Sequence, residues 1–151
     1  MKRWKVPVLA GRIVRLEPLS REHEDGLWEA SRDPRTWRWL SVVQPTSREK
    51  WRTHVEAALT AAAAGTELPL VTISHEEIVG STRFLAPRPE HRSVEIGWTW
   101  LHPSAWGTGA NVEAKLLQLT HAFEEWGCRR VELKTDALNE RSRKALEALG
   151  A

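Results

Sequence analysis

The chain has 151 residues, which is the size of one domain with a hydrophobic core of its own. Hydrophobic residues make up 41% of the sequence and charged residues 28%, as is usual for globular proteins. The formal net charge of +2 is too small for a nucleic-acid-binding protein, and no stretch is apolar enough to span a membrane. We therefore expect one cytoplasmic domain without nucleic-acid or membrane partners.

The first half of the sequence predicts a strand followed by two helices. Alternating apolar residues predict the strand over residues 12–17, and Ser20 is a typical N-cap for the first helix. An irregular, tryptophan-rich segment follows. Thr46 and Glu49 then resemble a capping box, which opens a second helix that ends at Gly65.

The second half predicts four strands, a long helix before the last strand and a final helix capped by Asn139. The order of elements, β-α-α-β-β-β-α-β-α, indicates a mixed α/β domain. Helical spacing predicts that one apolar stripe of the long helix faces the core. The strands cover residues 68–74, 78–85, 94–101 and 130–135, and the stripe contains Val112, Leu116, Leu119, Phe123 and Trp126.

A glycine-rich turn at residues 106–111 is the most informative local pattern. It joins the strand over residues 94–101 to the long helix. Such a turn places several backbone N–H groups at a helix N-terminus, where they have no partner within the helix and the helix dipole is positive. These features are typical of a phosphate or pyrophosphate site that needs no basic side chain. An ordinary strand-to-helix connection is the alternative.

Three blocks of sequence, at the expected separation, carry a resemblance to a known family. In this combination the chain resembles the GCN5-related N-acetyltransferase (GNAT) superfamily, and within it the RimJ/RimL-type (ribosomal-protein-alanine) N-acetyltransferases. The resemblance implies an enzyme that transfers the acetyl group of acetyl-coenzyme A to a primary amine. The blocks are Glu95-Ile96-Gly97-Trp98-Thr99-Trp100-Leu101-His102-Pro103, Trp106-Gly107-Thr108-Gly109 and Glu132-Leu133-Lys134-Thr135-Asp136-Ala137-Leu138-Asn139-Glu140-Arg141-Ser142.

The resemblance also implies an α/β (α+β) GNAT fold, with a mixed, mostly antiparallel sheet that splays between strands 4 and 5 and has helices at its sides. Gly97 lies inside strand 4, where glycine indicates a bulge or a close approach. Such a domain normally has two more strands, so we expect strands 6 and 7 to be absent from a chain that ends at Gly150-Ala151. An uncovered strand edge favours association, and a homodimer is one expected outcome.

The same resemblance assigns the residues that hold acetyl-coenzyme A. The turn departs from the family's usual Gln/Arg-x-x-Gly-x-Gly/Ala pattern at both ends. Trp106 cannot make the charge-assisted phosphate contact of an arginine, whereas Asn111 keeps its N–H and adds a side-chain donor. Backbone groups of Trp98, Thr99, Trp100 and Leu101 would bind the pantetheine arm, and Trp106, Gly107, Thr108, Gly109, Ala110 and Asn111 would surround the pyrophosphate.

The implied reaction is direct attack of the amine on the thioester, without a covalent enzyme intermediate. Glu95 is the best candidate base, and an ion-pair or solvent-exposed role is its alternative, because such sites often pass protons through water. Ser142 would lie near the sulfur and donate to the leaving thiolate. Asn139 would bind the pantetheine arm or simply cap its helix.

The acceptor side is the least defined part of the predicted site. Trp37, Trp39 and Arg83 are the candidate acceptor contacts, with core packing as the alternative for the tryptophans. A protein N-terminus is the favoured acceptor and a small-molecule amine the second. A non-catalytic acyl-coenzyme-A-binding or interaction module is the alternative function. The histidines and the single Cys128 show no metal-ligand spacing, so we expect no metal.

Overall fold

The computed structural model describes residues 3–38 and 43–133, together with Lys144, Glu147 and Gly150. The described part folds as one six-stranded sheet with three α-helices. The strands are β1 (Leu9–Ala10), β2 (Val14–Pro18), β3 (Glu67–Ser74), β4 (Glu77–Arg88), β5 (Ser93–Leu101) and β6 (Arg130–Leu133); the helices are α1 (Glu24–Ala30), α2 (Arg48–Ala64) and α3 (Ala110–Thr120).

The sheet has the order β1-β2-β3-β4-β5-β6, and each neighbouring pair is antiparallel except β5 and β6, which are parallel. This confirms the expected mixed, mostly antiparallel GNAT sheet. The ladder between β5 and β6 joins Ser93–Ile96 to Arg130–Leu133. Beyond Ile96, β5 has no strand partner on this side within the part of the chain that the structure describes. In the described residues this ladder ends at Ile96, opposite Leu133, where the described part of β6 also ends.

Two hydrophobic cores lie on opposite faces of the sheet. On one face, Ala110 and Ala114 of α3 pack with the buried strand residues Leu16, Phe84 and Ile96. The other face is covered by α1 and α2. Its core contains three tryptophans, Trp37, Trp51 and Trp100, with Leu27 and Val71. The functional strand β5 is held between these two layers.

One helix cap differs from the sequence-based expectation, and one hairpin turn has an unusual sequence. The cap of α2 is Ser47, whose hydroxyl accepts a hydrogen bond from the Lys50 amide at 3.2 Å, so the prediction of Thr46 as the cap was wrong by one residue. The β3–β4 hairpin turns on His75 and Glu76, both with positive φ (51° and 63°). This is the backbone pattern of a tight type I′ turn, which glycine or asparagine usually occupies.

The buried face of α3 also differs from the predicted apolar stripe. Its buried residues are Ala110, Ala114, Lys115 and Gln118. Leu116 is 50% exposed and Phe123 is 47% exposed, so the prediction that they face the core was wrong. Alanines allow the helix to approach the sheet closely, and the polar pair finds hydroxyl partners on β4 and β5. Leu119 and Trp126 do pack against this core, so hydrophobic spacing predicted the buried face only in part.

Candidate active site

A β-bulge interrupts β5 between Gly97 and Trp100. Between paired positions, β4 advances from Arg83 to Ser81 while β5 advances from Gly97 to Trp100, so β5 contains one extra residue. Trp98 takes the left-handed conformation, with φ of 51°. The sequence predicted a bulge from Gly97, and the structure places it one residue later. A Cβ on Gly97 would lie 3.0 Å from the Leu85 side chain, so glycine serves close packing here.

The side chain of Trp98 is held on the α2 face of the sheet. The guanidinium carbon of Arg83 lies 4.4 Å from its ring centroid, and the His54 ring stacks on it at 6.0 Å. Arg83 is 7% exposed and donates to the Glu67 carboxylate at 3.1 Å. Trp98 itself remains 38% exposed. The acceptor-side candidate Arg83 thus belongs to a cluster that sequence analysis did not assemble.

Burial keeps this cluster's histidine neutral. Desolvation, and then the nearby Arg83 charge, lower the pKa of His54 to about 4. Desolvation also lowers the pKa of Arg83, against the opposing effect of Glu67. His54 and Glu67 were missed because nothing near them in the sequence marks them. They meet Arg83 only because α2, β3 and β4 are neighbours in the fold.

Glu95 lies on β5 two residues before the bulge. It is half-buried, and its side chain is on the same face as Gly97, since a Cβ placed on Gly97 would lie 3.6 Å from the Glu95 carboxylate. Its partner across the parallel ladder is Glu132 on β6. The candidate base therefore lies in the described β5–β6 ladder, two residues before Gly97, and Glu132 is its neighbour on β6.

The glycine turn has the geometry of an anion site. Gly107 and Gly109 have positive φ (72° and 87°), and a Cβ on Gly107 would meet no atom within 4 Å. Thr108 braces the turn: its hydroxyl donates to the Ala105 carbonyl at 2.6 Å and accepts from the Ala110 amide at 3.2 Å. In the described ranges, no other residue accepts from the amides of Gly107, Thr108, Gly109, Asn111 and Val112.

Two side chains complete the turn. Trp106 folds back and donates its indole N–H to the Leu101 carbonyl at 3.0 Å, so it closes the turn over the end of β5. Asn111 presents a buried side-chain oxygen that has no hydrogen-bond partner among the described residues. Unpaired amides and an open approach at Gly107 fit a pyrophosphate, whereas the buried Asn111 oxygen is an acceptor and needs a donor that a pyrophosphate does not supply.

The remaining predicted site residues fall into two groups. Trp37, Trp100 and Leu101 are buried in the cores, so the two β5 residues could meet a ligand only through their backbone. Trp37 donates its indole N–H to the Ser31 carbonyl at 2.9 Å, which fits the packing alternative. Trp39, Asn139 and Ser142 lie outside the described residues, and their assignments stay predictions.

Adding a negative charge at Gly107 is expected to weaken coenzyme A binding. Asn and Asp both tolerate positive φ and have the same size, so Gly107→Asn is the matched control for Gly107→Asp. Repulsion of about 1–4 kcal/mol between charges 4 Å apart predicts at least about fivefold weaker binding for the aspartate variant. Calorimetric titration at low and high salt measures the difference, which should shrink at high salt. Equal affinities for the two variants would exclude this turn as the phosphate site.

The described ranges contain neither a metal-binding cluster nor a membrane-spanning helix. No group of three or more His, Cys, Asp or Glu side chains in these ranges is arranged to hold a metal ion. None of the helices found there has the length and apolar character needed to cross a membrane.

Comparison with known proteins identifies the family. The sequence model of the acetyltransferase (GNAT) domain matches residues 14–151, whereas no curated protein matches significantly. A protein from T. thermophilus, described as a candidate acetyltransferase, is 40% identical, with 98% of this chain and 77% of that chain covered and a TM-score of 0.86. A GCN5-related N-acetyltransferase from Brucella melitensis is 26% identical, with 99% and 69% covered and a TM-score of 0.88.

A more distant structure shows the same fold. RimL, the ribosomal L7/L12 alpha-N-protein acetyltransferase, in complex with coenzyme A, is 22% identical, with 94% of this chain and 82% of that chain covered and a TM-score of 0.84. The family model, the 40% identical relative and the fold agree. This chain belongs to the GNAT family and is an acetyl-coenzyme-A-dependent N-acetyltransferase that acts on an amine.

Proposed function

We propose that the protein acetylates the N-terminal amine of another protein, as a RimL-type enzyme does. The observation that carries the proposal is the position of two groups on either side of the β5 bulge: the glycine turn, with amides that have no acceptor in the described ranges, follows the strand, and Glu95 lies two residues before Gly97. The turn would receive a pyrophosphate, and Glu95 would receive a proton. The protein-N-terminus acceptor is supported by the fold likeness to RimL.

Acetyl-coenzyme A would bind along β5 between these two groups. Its pyrophosphate would accept hydrogen bonds from the amides of Gly107, Thr108, Gly109, Asn111 and Val112, which have no acceptor in the described ranges. Its pantetheine amides would pair with backbone groups of β5 beyond Ile96, the end of the described ladder with β6. These are directional contacts to an amide-bearing chain, which explains why few charged side chains are needed.

The chemistry needs the amine in its neutral form. Glu95 would take the proton of the acceptor ammonium, directly or through water, and the amine nitrogen would then attack the thioester carbonyl. A C–N bond forms, the C–S bond breaks and coenzyme A leaves as the thiolate. We propose that Ser142 passes the second proton, which the nitrogen loses as it becomes an amide, to this thiolate, while the proton on Glu95 returns to solvent.

The cluster of Glu67, Arg83, His54 and Trp98 would form the wall of the acceptor site. Its exposed part is the Trp98 ring, on the same face as Glu95. An exposed aromatic ring beside a carboxylate suits a cationic amine with an adjoining chain. The ion pair of Arg83 and Glu67 keeps this wall neutral and fixed beneath the ring.

A panel of amines tests the acceptor. Free thiol release from acetyl-coenzyme A is measured with peptides that have a free N-terminus, with the same peptides blocked at that position, and with small primary amines. Turnover of free peptides alone supports the proposal, and turnover of small amines alone replaces it. Coenzyme A binding without turnover of any amine would support the non-catalytic alternative. Sedimentation of the same samples tests the expected homodimer.

Coenzyme A is expected to stabilise the fold. A ligand that binds only the native state adds about 2.7 kcal/mol to the free energy of unfolding at about 100 times its dissociation constant. A thermal-shift titration with coenzyme A measures this, and free pantetheine, which lacks the pyrophosphate, is the control. An unchanged melting temperature at millimolar coenzyme A, with the protein folded, would contradict the site assignment.

A further inference from the structure

The conformation of Trp98 must be imposed by its surroundings. Positive φ is rare for a bulky aromatic residue and persists only where neighbouring contacts hold it. On the α2 face, the Trp98 ring is held by Arg83 and His54. A second set of contacts acts on the next residue, Thr99, from the α3 face. The bulge is thus held from both sides of the sheet.

The α3-face contacts form a buried network around Lys115. Its ammonium nitrogen lies 2.5 Å from the Thr99 hydroxyl and 3.1 Å from the Thr82 hydroxyl, and both hydroxyls accept from it. The two hydroxyls are 2.8 Å apart, and Thr82 donates to the Gln118 side-chain oxygen at 3.1 Å. With Thr99 donating to Thr82, every hydroxyl proton has an acceptor. Thr82 is the β4 residue opposite the bulge, so the network joins both strands to α3.

Lys115 has no counter-ion in this network. No carboxylate in the described ranges forms an ion pair with it. On α3, the Glu113 carboxylate is turned away and accepts from the Ile13 and Val14 amides at 2.7 Å each. Arg83 on β4 and Glu95 on β5 lie on the other face of the sheet. An amine buried in this way is costly, and an apolar side chain of similar length would pack there more favourably.

We propose that Lys115 is a positioning residue for acetyl-coenzyme A: through Thr99 it fixes the β5 bulge, and the bulge aims the backbone groups that receive the pantetheine arm. The inference rests on the proposed binding path along β5. It assigns a role to a buried cation that neither the acetyl transfer chemistry nor core packing requires. Burial lowers the pKa of Lys115 to about 7, which agrees with a side chain used mainly as a hydrogen-bond donor.

The test separates binding from stability. Lys115→Met removes the donor at similar length, and Thr99→Val removes the hydroxyl at similar shape. Thr99→Ser keeps the hydroxyl, and Lys50→Met makes the same lysine change at an exposed site on α2. Coenzyme A affinity by calorimetry, the KM for acetyl-coenzyme A with kcat, and the melting temperature are measured for the parent and each variant.

Loss of one hydrogen bond, about 1 kcal/mol, predicts at least about fivefold weaker coenzyme A binding and a matching rise in KM for Lys115→Met and Thr99→Val. Lys50→Met should bind like the parent, and Thr99→Ser, which keeps the hydroxyl, should bind more tightly than Thr99→Val. The Lys115→Met protein should melt no lower than the parent. The double variant Lys115→Met/Thr99→Val should bind little more weakly than either single variant, because both changes remove the same contact.

Three outcomes would overturn the inference. The first is that folded Lys115→Met and Thr99→Val both bind coenzyme A with the affinity of the parent. If Lys115→Met does not fold, the affinity of Thr99→Val alone decides. The second is a fall in melting temperature that accompanies weaker binding in both variants, which would make the role structural. The third is failure of the parent itself to bind coenzyme A. That result would remove the proposed binding path as well, so the two failures are distinguishable.

Discussion

Glu95→Gln is expected to lower kcat about a hundredfold or more at neutral pH, because general-base catalysis typically contributes that much. The amide keeps the shape and hydrogen-bonding capacity of the side chain but cannot take the ammonium proton. Coenzyme A affinity should change little, since Glu95 lies before residues 98–101, whose backbone is proposed to bind the pantetheine arm. The loss should shrink as the pH approaches the pKa of the acceptor amine, because a neutral amine needs no base.

Glu132→Gln is the matched control for this experiment. Glu132 pairs with Glu95 across the β5–β6 ladder and forms an ion pair with Arg130 at 3.1 Å. The Glu132→Gln variant should retain most of the parent's turnover at every pH. The measurement is kcat against pH for the parent and both variants with one peptide acceptor. A large loss for Glu132→Gln with a small loss for Glu95→Gln would move the base to β6. Parent-like pH profiles for both would point to a water chain.

The stability of the protein is expected to rise with pH between about 7 and 10.5, through Lys115. Burial lowers its folded-state pKa from 10.5 to about 7, while the unfolded chain keeps the ordinary value. Between these values the unfolded state binds more protons than the folded state, so the free energy of unfolding increases with pH. A shift of this size corresponds to a change on the order of 4 kcal/mol across the window.

Urea denaturation at several pH values from 6.5 to about 10 checks this expectation. Lys115→Met should remove the rise and should be more stable than the parent at pH 7, because the burial cost of the cation is gone. Lys50→Met corrects for the change in total lysine content. His54 does not contribute in this window, since its folded-state pKa of about 4 and its ordinary value of 6.5 both lie below it. Identical pH dependence in the parent and Lys115→Met would show that Lys115 is not buried as described.

The sequence by itself predicted the order of elements from β2 to β6 and the place of the glycine turn, but it missed β1. These depend on local chemistry: alternation marks the strands, and the positive φ of Gly107 and Gly109 is a conformation that glycine adopts without cost. Glu95 was also identified from the sequence, because the residues on either side of it in β5 face the core and it faces the other way. Its role, with those of Asn139 and Ser142, stays a prediction.

Only the tertiary structure decided how β5 is shaped and what surrounds it. The bulge falls on Trp98 rather than Gly97, because Arg83 and His54 hold that ring on one face while Lys115 holds Thr99 from the other. These residues come from α2, β4 and α3, and nothing in the sequence brings them together. For the same reason the sequence placed Leu116 in the core and overlooked Lys115. The spacing of apolar residues shows that a helix has an apolar face, but the surface it packs against decides which side chains are buried.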